Sequence, residues 1–280
     1  MTEVKAGSRL RPNSEPARSH PSALPDDLGP RPGIEVASLS DVGLQRSNNE
    51  DSFLYWEPVG DEEFRRKGRL AVVADGMGGY EGGQEASRVA VETVRQVYES
   101  AIDHDPQKAL GQGLQAAHEN IQRYAADHPE FQGMGTTCTA LSIVDGQLYF
   151  AHVGDSRLYL VRGDTISRLT RDHSYVGKLV ESGLVRSEDA ESHPQRHILT
   201  AALGSGREVT PDFPERPVLL QPDDRLILCT DGLWGVVSEQ DLASTVRTNP
   251  PAEACVALVN MALERGGPDN VTVLVLRVAS

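Results

Sequence analysis

Aromatic residues are scarce in this chain: five Phe, seven Tyr and two Trp make up 5% of its 280 residues. A core large enough for that length must therefore be aliphatic, built from Val, Leu, Ile and Ala. Cysteine is scarcer still, with only Cys138, Cys229 and Cys255. Each lies in an apolar stretch and none is paired at a metal-ligand spacing. That excludes a disulfide framework, predicts buried reduced thiols, and fits a reducing compartment. No apolar run approaches the length of a membrane span, and no apolar signal-type segment follows Met1, so a cytoplasmic location is expected. Positive charge is short as well: 27 Lys and Arg face 41 Asp and Glu, for a net −14. Residues 34–280 carry 22 basic and 37 acidic side chains, net −15. Such a surface repels phosphate backbones and argues against nucleic acid or an anionic membrane as partner.

Proline is unevenly spread. Six of the 17 prolines fall in residues 1–33, among Ser, Arg and Asp with no apolar period. This stretch reads as a disordered leader that cannot offset its ordering entropy, with a docking or regulatory segment as the lesser alternative. From Ile34 the pattern becomes mixed. Strands are predicted at 34–40, 52–57 and 69–75, then two helices at 84–103 and 107–128, where apolar residues recur at helical spacing. A dense run of strands follows at 136–144, 147–153, 156–162 and 165–169. Its junctions Asp145-Gly146, Gly154-Asp155 and Gly163-Asp164 read as hairpin turns. Residues 174–206 break the rhythm and read as a surface flap with a short helix near 176–181. Strands at 218–220 and 225–231, helices at 238–246 and 251–264, and a last strand at 271–278 complete the pattern. Ser238 with Asp241 is placed to cap the penultimate helix. Strands and helix pairs in this order predict an α+β fold with antiparallel sheets, one domain over 34–280.

Three acids carry the chemistry. Asp75-Gly76 and Asp231-Gly232 follow apolar strand-like runs, and Asp269-Asn270 precedes one. A fourth group, Asn48-Asn49-Glu50-Asp51, precedes another. A carboxylate at the end of a buried strand loses solvation unless a positive charge meets it. Four such sites over more than two hundred residues predict one shared cation site. Oxygen donors without His or Cys in matching places suit hard divalent ions, Mg²⁺ or Mn²⁺. Gly76, lacking a side chain, lets its carbonyl approach a metal. Two ions bridged by a carboxylate and a water lower that water's pKa and clamp a phosphoryl oxygen. Arg46, five residues before Asp51, supplies a guanidinium suited to gripping phosphate. Together these predict in-line attack on a phosphoester without a covalent enzyme intermediate.

Six segments then share one order with a known family. They are Ser40-Asp41-x-Gly43-x-x-Arg46-x-Asn48-Asn49-Glu50-Asp51, Val73-Ala74-Asp75-Gly76-Met77-Gly78-Gly79, Gly135-Thr136-Thr137, Ala151-His152-Val153-Gly154-Asp155-Ser156-Arg157, Leu228-Cys229-Thr230-Asp231-Gly232-Leu233-Trp234 and Asp269-Asn270-Val271-Thr272. The chain resembles the protein phosphatase 2C family, metal-dependent serine/threonine phosphatases, in its bacterial form. The resemblance implies a four-layer α-β-β-α sandwich, two antiparallel sheets flanked by helix pairs, with the metals at one end. It implies that Asp75 bridges two ions, that the Gly76 carbonyl binds one, and that Asp231 and Asp269 bind the other. Glu50 and Asp51 would hold metal-bound waters or ligate directly, Arg46 would contact substrate phosphate, and Asp155 would help hold a third, weaker ion. The substrates would be phosphoproteins, and the reaction would oppose a bacterial serine/threonine kinase, with the enzyme a monomer.

One departure matters. Eukaryotic relatives carry a histidine two residues after the bridging aspartate, and Met77 stands there in this chain, as in bacterial members. The proton donor to the leaving oxygen is thus open; His173, His193 and His197 qualify by residue type, while His152 reads as core. Two rivals remain: a catalytically weak pseudophosphatase that binds phosphoproteins, and another two-metal phosphohydrolase. The complete acid set argues against the first. The acidic surface, and the lack of a His-rich metal set, argue against the second.

Overall fold

A computed structural model of the chain describes residues 31, 33–78, 81–102, 105–190 and 193–279. The expected leader lies outside the described residues except for Arg31 and Gly33. Arg31 already packs on the body: its N–H donates to Glu57 Oε1 at 2.7 Å, and its carbonyl accepts from Arg69 Nη2 at 2.9 Å.

Two antiparallel sheets form the centre. The first runs β1 (Ile34–Asp41), β11 (Val271–Val278), β10 (Arg225–Cys229), β7 (Arg157–Arg162), β8 (Thr165–Arg168). The second runs β2 (Asp51–Trp56), β3 (Arg69–Met77), β5 (Cys138–Val144), β6 (Gln147–Val153), β9 (Val218–Leu219), with the short β4 (Gly135–Thr136) paired to the end of β3. The period-2 pleat explains the layers. In β3, Leu70, Val72 and Ala74 pack under α2 (Gly82–Ser100) and α3 (Pro106–Asp127), while Ala71 and Val73 face the other sheet. In β10, Leu226 and Leu228 face between the sheets, and Ile227 and Cys229 pack under α7 (Glu239–Thr248) and α8 (Pro251–Glu264). Three apolar interfaces make four layers, α-β-β-α, as expected. They also explain why β10 and β11 read as near-continuous apolar runs: both of their faces are buried. All three thiols are buried and free.

Several details depart from the sequence reading. The helix α1 (Asp61–Lys67) has no buried residue and so no apolar period. Its support is charge: Asp61, Glu62 and Glu63 in the first turn, Arg65, Arg66 and Lys67 in the last, which complement the helix dipole. The strand expected at 136–144 breaks at Thr137 into β4 and β5, and the strand expected to reach Asp231 ends at Cys229, because Thr230 caps α6 (Asp231–Trp234). Asp145-Gly146 and Gly163-Asp164 do close hairpins, with Val144 opposite Gln147 and Arg162 opposite Thr165. Gly154-Asp155 does not. It joins β6 to β7, which belong to different sheets, so it is a crossover rather than a hairpin turn. Ser238 caps α7 as expected, its Oγ accepting from Asp241 N at 3.2 Å. The stretch 174–206 carries α4 (Tyr175–Glu181) and α5 (Ser187–Ala190), and a Ser174–Leu199 bridge closes its base. Among the described residues, no helix is long and apolar enough to cross a membrane.

Candidate active site

The pairing of β2 with β3 sets Asp51 directly opposite Asp75 at one end of the second sheet. The first sheet delivers Asp231 just beyond β10 and Asp269 just before β11 to the same end. The crossover from β6 adds Asp155 between them. The result is a cleft of about 800 Å³ lined by Arg46, Glu50, Asp75, Gly76, Asp155, Asp231 and Asp269. Asp51 lies beneath that lining, 9% exposed. Its Oδ2 accepts from Thr230 Oγ1 at 2.9 Å, and its Oδ1 has no hydrogen-bond partner among the described residues.

Neighbouring segments fit together through their glycines. A Cβ on Gly76 would stand 2.0 Å from the Gly83 carbonyl and 2.6 Å from that of Glu50. A Cβ on Gly232 would stand 1.9 Å from the Asn270 carbonyl. Close backbone approach, in addition to any ligand, therefore requires glycine at both positions. Thr136, Thr137 and Asn270 belong to the ordered segments and hold the acids in place. Thr136 Oγ1 and Thr137 N both donate to the Asp75 carbonyl, at 2.8 and 2.9 Å, and Thr137 Oγ1 accepts from Asp75 N at 2.9 Å. Asn270 ties the Arg46–Glu50 loop to β11. Its amide donates to Val42 O at 2.8 Å and Asn48 O at 2.9 Å, and its Oδ1 accepts from Glu50 N at 2.9 Å. Asn270 carries a signal in the chain, its place next to Asp269; Thr136 and Thr137 lie some sixty residues from Asp75 and carry none.

The electrostatics are those of crowded anions. Burial first, then the charges of Asp51, Asp231, Asp155 and Asp269, pushes the Asp75 carboxyl well above its ordinary range. Burial and then Asp231 push Asp155 up likewise. Burial raises Asp51 to about 7 against the pull of hydrogen bonds from Thr272 and Thr230. Burial also raises Glu50, opposed by Arg46. Two guanidiniums line the cleft, Arg196 and Arg46, and Arg46 Nη2 donates to Asp269 Oδ2 at 2.7 Å. Two guanidiniums do not balance five lining carboxylates with Asp51 beneath them. Among the described residues, no three acid, histidine or cysteine side chains stand together as a ready-made metal-ligand group. The carboxylates instead stand around an open cleft, as suits a hard cation that keeps several waters. The donor set, all oxygen with an unpartnered buried Asp51 Oδ1, fits Mn²⁺ or Mg²⁺.

The histidines separate by position. His197 lines the cleft from the 174–206 segment, its Nδ1 3.6 Å from Asp231 Oδ2. His193 Nδ1 accepts from Gln195 N at 3.2 Å and is outside the lining. His173 packs against the Gly154 turn. His152 is fully buried between Thr139 and the Arg171 carbonyl, and burial lowers it to about 4, so it is a neutral core residue.

Residues 45–254 match the family model for protein phosphatase 2C. The chain belongs to the protein phosphatase 2C family. This phosphatase is 36% identical over 245 residues to the protein phosphatase PhpP of Streptococcus pneumoniae, covering 86% of this chain and 96% of PhpP. It is 36% identical to the serine/threonine protein phosphatase PstP of Mycobacterium tuberculosis over 88% of this chain and 45% of PstP. A crystal structure of PstP superposes on the phosphatase with a TM-score of 0.78 at 34% identity, covering 89% of this chain and all of that one. A structure of the PstP catalytic domain with two manganese ions superposes with a TM-score of 0.76 at 33% identity, covering 89% and 99%.

Proposed function

We propose that this phosphatase hydrolyses phosphoserine and phosphothreonine esters in proteins, water attacking phosphorus in line and no phosphoenzyme forming. It is a metal-dependent serine/threonine protein phosphatase. The observation that carries the mechanism is the convergence of acids from five chain segments on one cleft, with Arg46 at its rim. In this reading Asp75, the Gly76 carbonyl, Asp231 and Asp269 hold two divalent ions, Mn²⁺ or Mg²⁺. Glu50 and Asp51 complete that shell, and Asp155 serves a third, weaker position. When bound, the ions supply the positive charge that makes water a nucleophile near neutral pH and neutralises the phosphoryl oxygens. Thr136, Thr137 and Asn270 keep the acids aimed, and Arg46 binds and orients the phosphate. Met77 offers no proton to the departing oxygen; His197 lies across the cleft. Residues 34–280 are the catalytic domain, with 174–206 as a flap beside the cleft. The partners are phosphoproteins, and the enzyme acts as a monomer in the cytoplasm, opposing a serine/threonine kinase.

The test is phosphate release from a radiolabelled phosphothreonine peptide with Mn²⁺ and with a chelator. Release is expected with Mn²⁺ only, and acid-quenched protein should carry no label. Label retained on the protein would reject direct attack by water, and peptide binding without release would favour the pseudophosphatase. Arg46→Ala should raise KM about tenfold, the scale of one hydrogen bond to a charged group. Mn²⁺ binding, measured separately, should persist; an unchanged KM would remove Arg46 from phosphate binding.

A further inference from the structure

Asp155 sits on the crossover between the two sheets, where Gly154 adopts φ +111° against Thr137. A glycine at positive φ has many backbone alternatives, and the Asp155 carboxylate is repelled by Asp231 and Asp172 while Arg157 attracts it. Something must hold the turn. His173 grips Gly154 on both sides: its main-chain N–H donates to Gly154 O at 2.7 Å, and its ring Nδ1 accepts from Gly154 N at 3.3 Å. The ring proton then resides on Nε2, 3.4 Å from Asp212 Oδ2. Asp212 is anchored in turn by two backbone hydrogen bonds with His152, at 3.0 and 2.9 Å. The preceding residue, Asp172, holds the other side of the turn. It pairs with Arg157, whose guanidinium lies 3.5 Å from the Trp234 ring centroid, and Trp234 Nε1 donates to the Asp155 carbonyl at 2.9 Å.

We propose that His173 is a positioning residue: by fixing the Gly154–Asp155 turn it aims the Asp155 carboxylate and sets the affinity of the weaker divalent-cation position. This rests on the reading of Asp155 given above. Because Thr200 N also donates to the His173 carbonyl at 2.7 Å, the same residue joins the base of the flap to that turn.

The test is Mn²⁺ titration of the full chain followed by electron paramagnetic resonance, with kcat and KM measured in parallel. Asp155→Asn should lose the weaker Mn²⁺ position only. His173→Ala should weaken that position about 10–100-fold, the usual effect of removing a group that orients a metal ligand. Its kcat should fall at low Mn²⁺ and recover at high Mn²⁺, with KM for the peptide unchanged. His173→Asn places an amide oxygen where Nδ1 stands and should retain parental Mn²⁺ binding. His173→Gln reaches Asp212 but not Gly154 and should bind like the alanine variant. Should the alanine variant not fold, the Asn and Gln pair decides. Equal Mn²⁺ binding by those two, while Asp155→Asn loses the position, overturns the role of His173 alone. Full Mn²⁺ binding by Asp155→Asn overturns the reading of Asp155 and this inference with it.

Discussion

Asp75→Asn is expected to lower kcat by about 10³-fold, because metal stabilisation of transition-state charge is worth several kcal/mol and each ~1.4 kcal/mol is tenfold in rate. Asp231→Asn should behave alike. Asp75→Asn carries a second, opposite signature in chelated protein. The Asp75 carboxyl is raised by burial and by Asp51 and its neighbours, so its ionisation opposes folding when no cation is bound. The sign follows from linkage. Below the unfolded-state pKa of about 3.9, Asp75 is protonated in both states and carries no penalty. As pH rises through the folded value, the parent loses stability that the asparagine variant keeps. Melting of chelated parent and variant should therefore nearly coincide near pH 4 and separate toward pH 8, with the variant higher. Added Mn²⁺ should reverse the order by binding the folded parent, a gain of about 2.7 kcal/mol at a hundred times Kd. A variant that melts below the chelated parent at pH 8 would show that these carboxylates are not in conflict.

Arg157→Ala should cost the fold about 3–5 kcal/mol, the usual loss when one partner of a buried ion pair is removed. Arg157 is 3% exposed, and its Nε and Nη2 donate to the two oxygens of Asp172 at 3.0 and 2.7 Å. Its Nη1 also donates to Tyr159 Oη at 3.0 Å. Truncation leaves the half-buried Asp172 with Arg168, at 3.4 Å, as its remaining ion-pair partner among the described residues. For a domain of this size the melting temperature should drop by about 6–20 °C, readable by scanning calorimetry. Arg157→Lys should recover part of the loss, since it restores charge but not the planar fork. A drop under about 2 °C for the alanine variant would mean that the pair contributes little.

Much of the fold is legible along the chain because its signals are local. The alternation Leu70, Val72, Ala74 against Ala71, Val73 marks a strand buried on both faces, and α2 and α3 announce themselves by helical recurrence of apolar residues. The helix α1 is not legible, since nothing in it is buried. Gly154-Asp155 misleads for a related reason: a glycine-acid pair between two strands looks the same whether the chain turns back within one sheet or crosses to the other. The choice is made by partners far away in sequence, His173 and Trp234.

The kind of chemistry is readable from the chain alone, because oxygen donors, an arginine and their order are properties of the side chains present. Local apolar patterns also marked the strands and helices, whereas the four-layer arrangement was implied by the family resemblance. How the acids meet depends on the packing of distant segments. Asp51 goes beneath the cleft while Glu50 lines it. Asn270, 220 residues from Glu50, fixes that loop. Of the three histidines that residue type alone left equivalent, His197 reaches the cleft and His173 turns to the Gly154 backbone. One cause underlies the placement of Asp51, of Asn270 and of the histidines. Hydrogen-bond geometry and steric approach between distant segments depend on how two sheets stack, and no local periodicity encodes that.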